Sequence, residues 1–311
     1  MPTIVIPDDY PVVMAISAAY RRVAATHYDT LPGSEEVLLE RIRGFEVVIN
    51  IRSSTRFTER IFAASPQLKL LSIWGTGTDN VDLHAARKYG VTVTNTPGVA
   101  AQAIAEHALM LTLSVARRVV SLHQQVANGA WPRGQSIQLR GKTLGIIGLG
   151  AIGRQFARLA EALGMRVIAW TMHPNPALGF ELVELDDLLR QSDIVSLHLR
   201  LSPETTGFLG SREFGLMKPS AIFINTARGP IVDEAVLIAA LRAQRIGGAG
   251  LDVFDIEPLP VGHALTQLDN VVLTPHCAGV TPEVLEASLA LALENVDCFL
   301  HGAPQFVVSV A

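Results

Sequence analysis

Three polar residues sit just behind short apolar runs, at places where a side chain could meet a ligand. They are Arg228 in Asn225-Thr-Ala-Arg228-Gly-Pro-Ile-Val-Asp-Glu234, Glu257 in Gly250-Leu-Asp252-Val-Phe-Asp-Ile-Glu257-Pro258, and His276 in Thr274-Pro-His276-Cys-Ala-Gly279. If the runs are strands, all three stand at strand C-termini, the ligand edge of an open α/β sheet. An arginine there can clamp a carboxylate with its planar donor fork and polarise a neighbouring carbonyl. A histidine can give or take a proton near neutral pH. A glutamate beside it would orient the ring and stabilise the imidazolium. Singly, the three are equally compatible with a capping arginine, an exposed loop glutamate and a satisfied core histidine.

A fourth segment supplies a place for a hydride carrier. Leu144-Gly-Ile-Ile-Gly148-Leu-Gly150-Ala151-Ile152-Gly153 runs from an apolar strand through G-x-G-x-x-G into a helix expected over Arg154–Leu163, with the next strand at Val167–Trp170. Gly148 permits the tight turn, Gly150 lets the backbone approach a pyrophosphate, and Gly153 lets the helix pack on the strand. The helix N-terminus, with Ala151 and Ile152 in its opening turn, then offers N–H groups to the phosphates. A bare glycine turn is weak evidence, but strand, turn, helix and strand here fall in order. The position where an acidic residue would receive the adenosine ribose holds Thr171, followed by Met172 and His173. A carboxylate to exclude a 2′-phosphate is missing, and so is an arginine to bind one, leaving NAD and NADP both open.

Across these segments the chain resembles the D-isomer-specific 2-hydroxyacid dehydrogenase family. The likeness extends through Gly75-Thr-Gly-Thr-Asp-Asn-Val-Asp82, Asn95-Thr-Pro-Gly98, Ala105-Glu106-His107, Gly141-Lys-Thr-Leu144 and Ser192-Asp-Ile-Val-Ser-Leu-His198. The resemblance implies D-stereospecific hydride transfer between NAD(P)(H) and a small 2-hydroxy or 2-oxo acid. Arg228, Glu257 and His276 would then be the catalytic group, in the roles their chemistry suggests. It also implies backbone of Thr76 and Gly77 at the substrate carboxylate or the nicotinamide end, and Arg52 as an added anion contact. Read alone, Arg52 could equally be a solvated surface residue. Asp252 is expected near the nicotinamide carboxamide, and Leu199, Ala227 and Gly279 beside the cofactor. Arg200 departs from the family pattern, where a proline usually follows His-Leu.

The elements that must position these groups read as an α/β chain with two doubly wound parallel sheets, the larger a Rossmann-type domain. Strands are expected at Ile4–Ile6, Val47–Ile51, Leu70–Trp74, Val91–Val93, Thr143–Gly148, Val167–Trp170, Ile194–Leu197, Ile222–Asn225, Gly250–Val253 and Val271–Leu273. Early helices are expected around Glu35–Ile42, Thr58–Ala64 and Leu83–Tyr89. A long helix from about Val99 to Asn128 is apolar nearly all round, which predicts burial in the core or against a second subunit. The last helix, Pro282 to Leu300, should be capped by Thr281 and carry Leu285, Leu289, Leu293, Val296 and Leu300 on one face. The family pattern places a substrate domain over residues 1–97 and 282–311, a dinucleotide-binding domain over 98–281, a cleft between them, and a homodimer. No further regulatory domain is expected after residue 311.

Composition narrows the rest. Over 311 residues, 49% are hydrophobic and 17% charged, and the net charge of −4 gives no general pull toward nucleic acid or an acidic membrane. Two cysteines, Cys277 and Cys298, imply no disulfide framework and suit a reducing cytoplasm. The start, MPTIVIPDDY, does not read as a secretory signal, and Ala103 to Val120 is too charged to span a bilayer. No cluster has convincing metal-ligand spacing, so no metal is expected. Cys277 reads as a wall of the cofactor site, not a nucleophile. His107 reads as structural, and Asp233-Glu234 as the start of a helix. Trp74 and Trp131 could line the substrate pocket or belong to the core. Two other readings stay open: a formate- or phosphite-type dehydrogenase, and a dinucleotide-sensing protein of the corepressor kind.

Overall fold

The computed structural model describes residues 2–10, 12–14, 17–22 and 24–308. The chain divides into two compact units, Met1–Ala100 with Val280–Ala311, and Ala101–Gly279.

The first unit contains β1 (Ile4–Ile6), β2 (Ala25–His27), α1 (Glu35–Ile42), β3 (Val47–Asn50), α2 (Glu59–Ala63), β4 (Leu70–Ile73), α3 (Leu83–Lys88) and β5 (Thr92–Thr94). Its sheet is parallel, in the order β2-β1-β3-β4-β5. Side chains alternate across a strand, so neighbours serve opposite faces. Val48 and Leu71 join Leu38, Ile42, Ile61 and Phe62 of α1 and α2. Val47, Ile49 and Leu70 join Leu289, Ala292 and Val296 of the returning helix, Pro282–Leu300. That second layer explains why every residue of β3 and β4 is buried. Thr281 caps the returning helix as expected, its Oγ1 accepting the Val284 N–H at 3.3 Å, with Pro282 in the first turn. Leu285, Leu289, Leu293 and Val296 of the expected stripe pack on this core, but the fully buried row differs from that stripe. It is Val284, Ser288, Leu289, Ala292, Asn295 and Val296, while Leu300 is exposed. Small Ala292 lies over β4, and its carbonyl accepts Ser72 Oγ at 3.2 Å.

The second unit contains α4 (Ala101–Ala116), α5 (Val119–Ala127), β6 (Thr143–Ile147), α6 (Ala151–Ala162), β7 (Arg166–Trp170), β8 (Glu181–Leu182), α7 (Leu185–Gln191), β9 (Ile194–Leu197), α8 (Ser211–Leu216), β10 (Ile222–Asn225), α9 (Glu234–Arg242), β11 (Gly248–Leu251) and β12 (Val271–Leu273). Its parallel sheet runs β12-β11-β10-β9-β6-β7-β8. The chain winds from β6 outward through β7 and β8, then returns to β9 on the other side of β6. That reversal makes the C-terminal ends of β6 and β9 the topological switch point, where such sheets bind ligands. Both sheets are α/β and doubly wound, in accord with the expected fold class.

Three expectations fail in this unit. The single helix over Val99–Asn128 is two, broken at Arg117-Arg118, with Arg118 in the left-handed region at φ 53°. At the break the Ala116 carbonyl accepts the Ile137 N–H at 2.8 Å, so the returning connector takes the bond that another helical turn would have made. Nor is the stretch buried throughout, since α5 buries none of its residues. The strand expected over Gly250–Val253 lies at Gly248–Leu251, which puts Asp252 just beyond its end. Glycine is needed inside it: a Cβ on Gly250 would stand 2.9 Å from Leu111 Cβ, and one on Gly248 2.8 Å from Val115 Cγ1. Packing of α4 on the strand selects the glycines that suggest a turn in the sequence.

Candidate active site

The glycine turn starts where β6 ends. Gly148, at φ 101°, donates its N–H to the Trp170 carbonyl at 2.8 Å, tying the turn to the end of β7. A Cβ there would lie 2.7 Å from the His198 carbonyl oxygen and 3.0 Å from the Leu199 nitrogen, so only glycine lets the turn and the end of β9 meet. On Gly153, a Cβ would stand 2.3 Å from the Gly148 oxygen. Gly150 differs. It is the N-cap of α6 with no side-chain cap, and its Cβ would meet nothing within 4 Å. Protein packing does not require a glycine there, whereas close approach of a phosphate to the uncapped N–H groups would. The turn therefore fits the pyrophosphate of a dinucleotide. Gly150 and Ala151 are exposed and Ile152 is half-buried. Thr171, partly exposed, directly follows Trp170 at the ribose end. The loop after His198 is held by Thr205, whose Oγ1 donates to the Arg200 carbonyl at 2.7 Å.

The second group forms at the ends of β10, β11 and β12. Asn225, buried at the end of β10, braces the turn that carries Arg228. Its Oδ1 accepts the Ala227 N–H at 2.9 Å, and its Nδ2 donates to the Arg228 carbonyl at 3.1 Å. Gly229 then packs backbone to backbone on the Phe254–Asp255 segment, where a Cβ would stand 2.1 Å from the Phe254 carbonyl carbon. This contact draws the arginine turn onto the loop that carries Glu257. Glu257 Oε1 accepts the Phe254 N–H at 3.0 Å, and its Oε2 lies 2.7 Å from His276 Nδ1. Burial would raise the Glu257 pKa, but the His276 hydrogen bond and charge, the Phe254 N–H and the Arg228 charge outweigh it and hold the carboxyl below its usual range. An ionised carboxylate only accepts, so Nδ1 carries the proton and Nε2 is the nitrogen left to exchange one. The fold thus brings Arg228, Glu257 and His276 together.

His276 sits at φ 52°, a left-handed conformation that costs a β-carbon residue about 1–2 kcal/mol. Asp252 supports it. The Asp252 carbonyl accepts the His276 N–H at 2.8 Å, and its buried carboxylate accepts the Thr274 hydroxyl at 2.6 Å and the N–H groups of Cys277 and Ala278 at 3.0 and 2.9 Å. Since the Thr274 proton points at Asp252, its oxygen must accept from His107 Nε2, 2.9 Å away. Burial would raise the Asp252 pKa, yet His107, Thr274 and the two N–H groups together lower it. Thr274 and Gly229 escape a reading by residue type, because neither looks chemically active. Their signal is position, next to a proline-histidine pair and an arginine. Among the described residues, donor atoms of His107, Asp252 and Cys277 lie within 4.8 Å of one another, a cluster that spacing along the chain does not reveal. The Asp252 oxygens in it are already taken by hydrogen bonds. Burial and Asp252 both push the Cys277 thiol pKa up, which works against a nucleophilic thiolate.

Arg52, Thr76 and Gly77 belong to the first unit. The half-buried guanidinium of Arg52 lies over the Trp74 ring, 5.6 Å from its centroid, and Trp74 Nε1 donates to the Leu285 carbonyl at 3.3 Å. The loop with Thr76 and Gly77 is tied back to the end of β5. Asn95 Nδ2 donates to the Thr76 carbonyl at 2.8 Å, and the Gly75 N–H to Thr96 Oγ1 at 2.8 Å. Of the remaining cofactor candidates, Leu199 and Ala227 pack partly against the core of the second unit, and Gly279 closes that unit.

Residues 109–278 match the NAD-binding domain of the D-isomer specific 2-hydroxyacid dehydrogenases. A glyoxylate reductase of Thermococcus litoralis is 39% identical over 279 residues, covering 86% of this chain and 84% of that one. A glycerate dehydrogenase of Methylorubrum extorquens is 38% identical, covering 88% of each. Among solved structures, an acyclic imino acid reductase, Bsp5, in complex with NADPH and D-Arg superposes with a TM-score of 0.89 at 29% identity, covering 99% of this chain and 100% of that one. Relatives named for hydroxy-acid chemistry favour that chemistry over the formate- or phosphite-type and corepressor-like readings. With a dinucleotide turn at the switch point and a carboxylate-oriented histidine beside an arginine, the chain belongs to the D-isomer specific 2-hydroxyacid dehydrogenase family and is an NAD(P)-dependent oxidoreductase of 2-hydroxy and 2-oxo acids.

Proposed function

We propose that the enzyme acts on compact 2-oxo acids of the glyoxylate and hydroxypyruvate kind, with Arg228, His276 and Glu257 as its catalytic residues. The observation that carries this is the 2.7 Å contact between His276 Nδ1 and Glu257 Oε2 within reach of the Arg228 charge. Arg228 holds the substrate carboxylate and polarises the carbonyl. A reduced nicotinamide dinucleotide supplies the hydride. His276 Nε2 gives its proton to the forming alkoxide, and Glu257 stabilises the imidazolium before transfer. In oxidation His276 accepts the proton instead. Arg52 adds an anion contact, the backbone of Thr76 and Gly77 meets the carboxylate or the nicotinamide end, and Asp252 faces the carboxamide. Gly148, Gly150, Ala151, Ile152, Gly153, Thr171, Leu199, Ala227 and Gly279 line the cofactor. In this reading the first unit is the substrate domain and the second the dinucleotide domain. Relatives named glyoxylate reductase and glycerate dehydrogenase support the choice of small substrates.

The test is a panel of glyoxylate, hydroxypyruvate, pyruvate and phenylpyruvate, each with NADH and NADPH. Turnover should be best with the first two. A best rate with phenylpyruvate would overturn the choice of compact substrates, and no oxidation of either cofactor would overturn the catalytic assignment. Because Thr171 brings no carboxylate to the ribose, discrimination should be weak or favour NADPH, with His173 as a phosphate contact. The NADPH bound to a structurally similar reductase supports that expectation.

The quaternary expectation is a homodimer through the dinucleotide domain. Its support is the unburied α5, where Val119, Val120 and Val126 are exposed, and nearby in sequence Trp131, 77% exposed. A monomeric mass at micromolar concentration would remove it. No helix among the described residues is long and apolar enough to cross a membrane. Two free cysteines suit a reducing cytoplasm.

A further inference from the structure

A buried carboxylate lies beneath the turn that carries Arg52. Asp8, two residues beyond β1, is fully buried. Its Oδ1 accepts the Ile51 N–H at 3.1 Å, and its Oδ2 accepts the Arg52 N–H at 3.0 Å and Asn50 Nδ2 at 2.5 Å. Asn50, the last residue of β3, also donates Nδ2 to the Arg52 carbonyl at 3.0 Å. Its Oδ1 accepts Asn80 Nδ2 at 2.9 Å, and Asn80 donates further to the Thr55 carbonyl at 2.8 Å. Asp8, Asn50 and Asn80 thus form a buried chain linking the ends of β1 and β3 to the loop after β4. Both peptide groups flanking the Arg52 α-carbon are engaged, and the guanidinium rests on a tryptophan that is itself hydrogen-bonded. These three donors meet both carboxylate oxygens, so an amide in place of Asp8 would set its NH2 against donors and could not brace the turn in the same way. Burial pushes the Asp8 pKa up, against the hydrogen bonds that favour its charged form. What its charge adds is a negative potential that offsets part of the loss of proton affinity that burial imposes on Arg52.

We propose that Asp8, acting with Asn50 and Asn80, is the positioning residue for Arg52, fixing where its guanidinium meets the anionic end of the oxo acid. The proposal rests on the reading of Arg52 as a substrate contact. It makes the Asp8 chain a determinant of oxo-acid affinity, separate from the hydride and proton steps.

The experiment is a double-mutant cycle in the whole enzyme, with Asp8→Asn, Arg52→Ala and the pair, read as KM for the best oxo acid, kcat, and Kd for the reduced cofactor. Asp8→Asn should raise KM by about tenfold, with kcat within about twofold and cofactor Kd unmoved. In the Arg52→Ala background the same substitution should change KM by less than about twofold, because its route to the substrate is gone. A penalty of equal size in both backgrounds would mean that Asp8 merely supports the fold, and overturns the proposal. If Arg52→Ala raises KM but Asp8→Asn does not, the proposal alone fails. If Arg52→Ala leaves KM unmoved, the Arg52 reading fails first and takes the proposal with it. Should Asp8→Asn not fold, Asn80→Ala removes the far end of the chain. It should raise KM about threefold, and only while Arg52 is present.

Discussion

His276 takes its direction from the nitrogen it hides. With Nδ1 engaged by Glu257, only Nε2 can trade a proton, so a flexible imidazole becomes a one-sided acid. The depressed pKa of Glu257 keeps that carboxylate charged through the usual glutamate range, so it goes on accepting from Nδ1 there. Glu257→Gln removes the charge, and His276 then gives up its proton more readily. Reduction measured as kcat/KM against pH should start its alkaline fall about one unit lower in the variant. A profile that does not move would sink the coupling. Arg228→Lys is a sterner test. The charge survives but the paired donors do not, so both KM and kcat should suffer, with kcat/KM down about 100-fold, or roughly 3 kcal/mol. Near-normal kinetics would remove Arg228 from the site. These residues are legible in the sequence because each stands in a distinctive motif. Asp8 is not. In MPTIVIPDDY it looks like any surface acid, and its partners Asn50, Ile51 and Arg52 lie more than 40 residues away.

Among the elements, the glycine turn separates packing from binding. Gly153→Ala would press a Cβ to 2.3 Å from the Gly148 oxygen, an overpacking that costs about 1–3 kcal/mol and should lower Tm by several degrees. Gly150→Ala meets open space, so Tm should hold while the affinity for reduced cofactor drops at least about tenfold. Melting curves and fluorescence titration check both; the opposite pattern would show Gly150 to be structural. Such turns announce themselves in sequence, as do strands made of β-branched runs: Ile194–Leu197 and Ile222–Asn225 lie where the pattern places them. Less visible are β2, an edge strand of three residues, and β8 of only two, too short for any alternation to register. The break at Arg118 is hidden for another reason. Ala116 and Val119 both suit a helix, and what divides them is the Ile137 N–H arriving from 21 residues downstream of Ala116.

At the scale of the molecule, one half-buried histidine links the dinucleotide unit to acid stability. His198 donates or accepts at Ser196 Oγ, 2.9 Å away, meets the Phe156 ring edge-on, and is pushed down to about 3 by burial. Between that value and its unfolded pKa of 6.5 the unfolded chain binds a proton that the folded chain refuses. Stability is therefore lost as pH falls through this window, at up to about 1.4 kcal/mol per pH unit from this group. His198→Gln should flatten the slope of unfolding free energy against pH between about 6 and 4. Equal slopes in parent and variant would show that His198 takes up its proton without unfolding.

The returning helix has a consequence for synthesis. Leu289, Ala292 and Val296 complete one face of a sheet whose strands all lie in the first hundred residues, and Asn295 Nδ2 holds the Asn95 carbonyl at 2.9 Å. The segment from Ala101 to Gly279 is continuous and carries both of its own cores. On the ribosome, the part made first must wait for the part made last, while the middle can close as soon as it emerges. A nascent chain arrested near residue 280, given room outside the exit tunnel, should therefore hold a protease-resistant middle attached to a cleavable beginning.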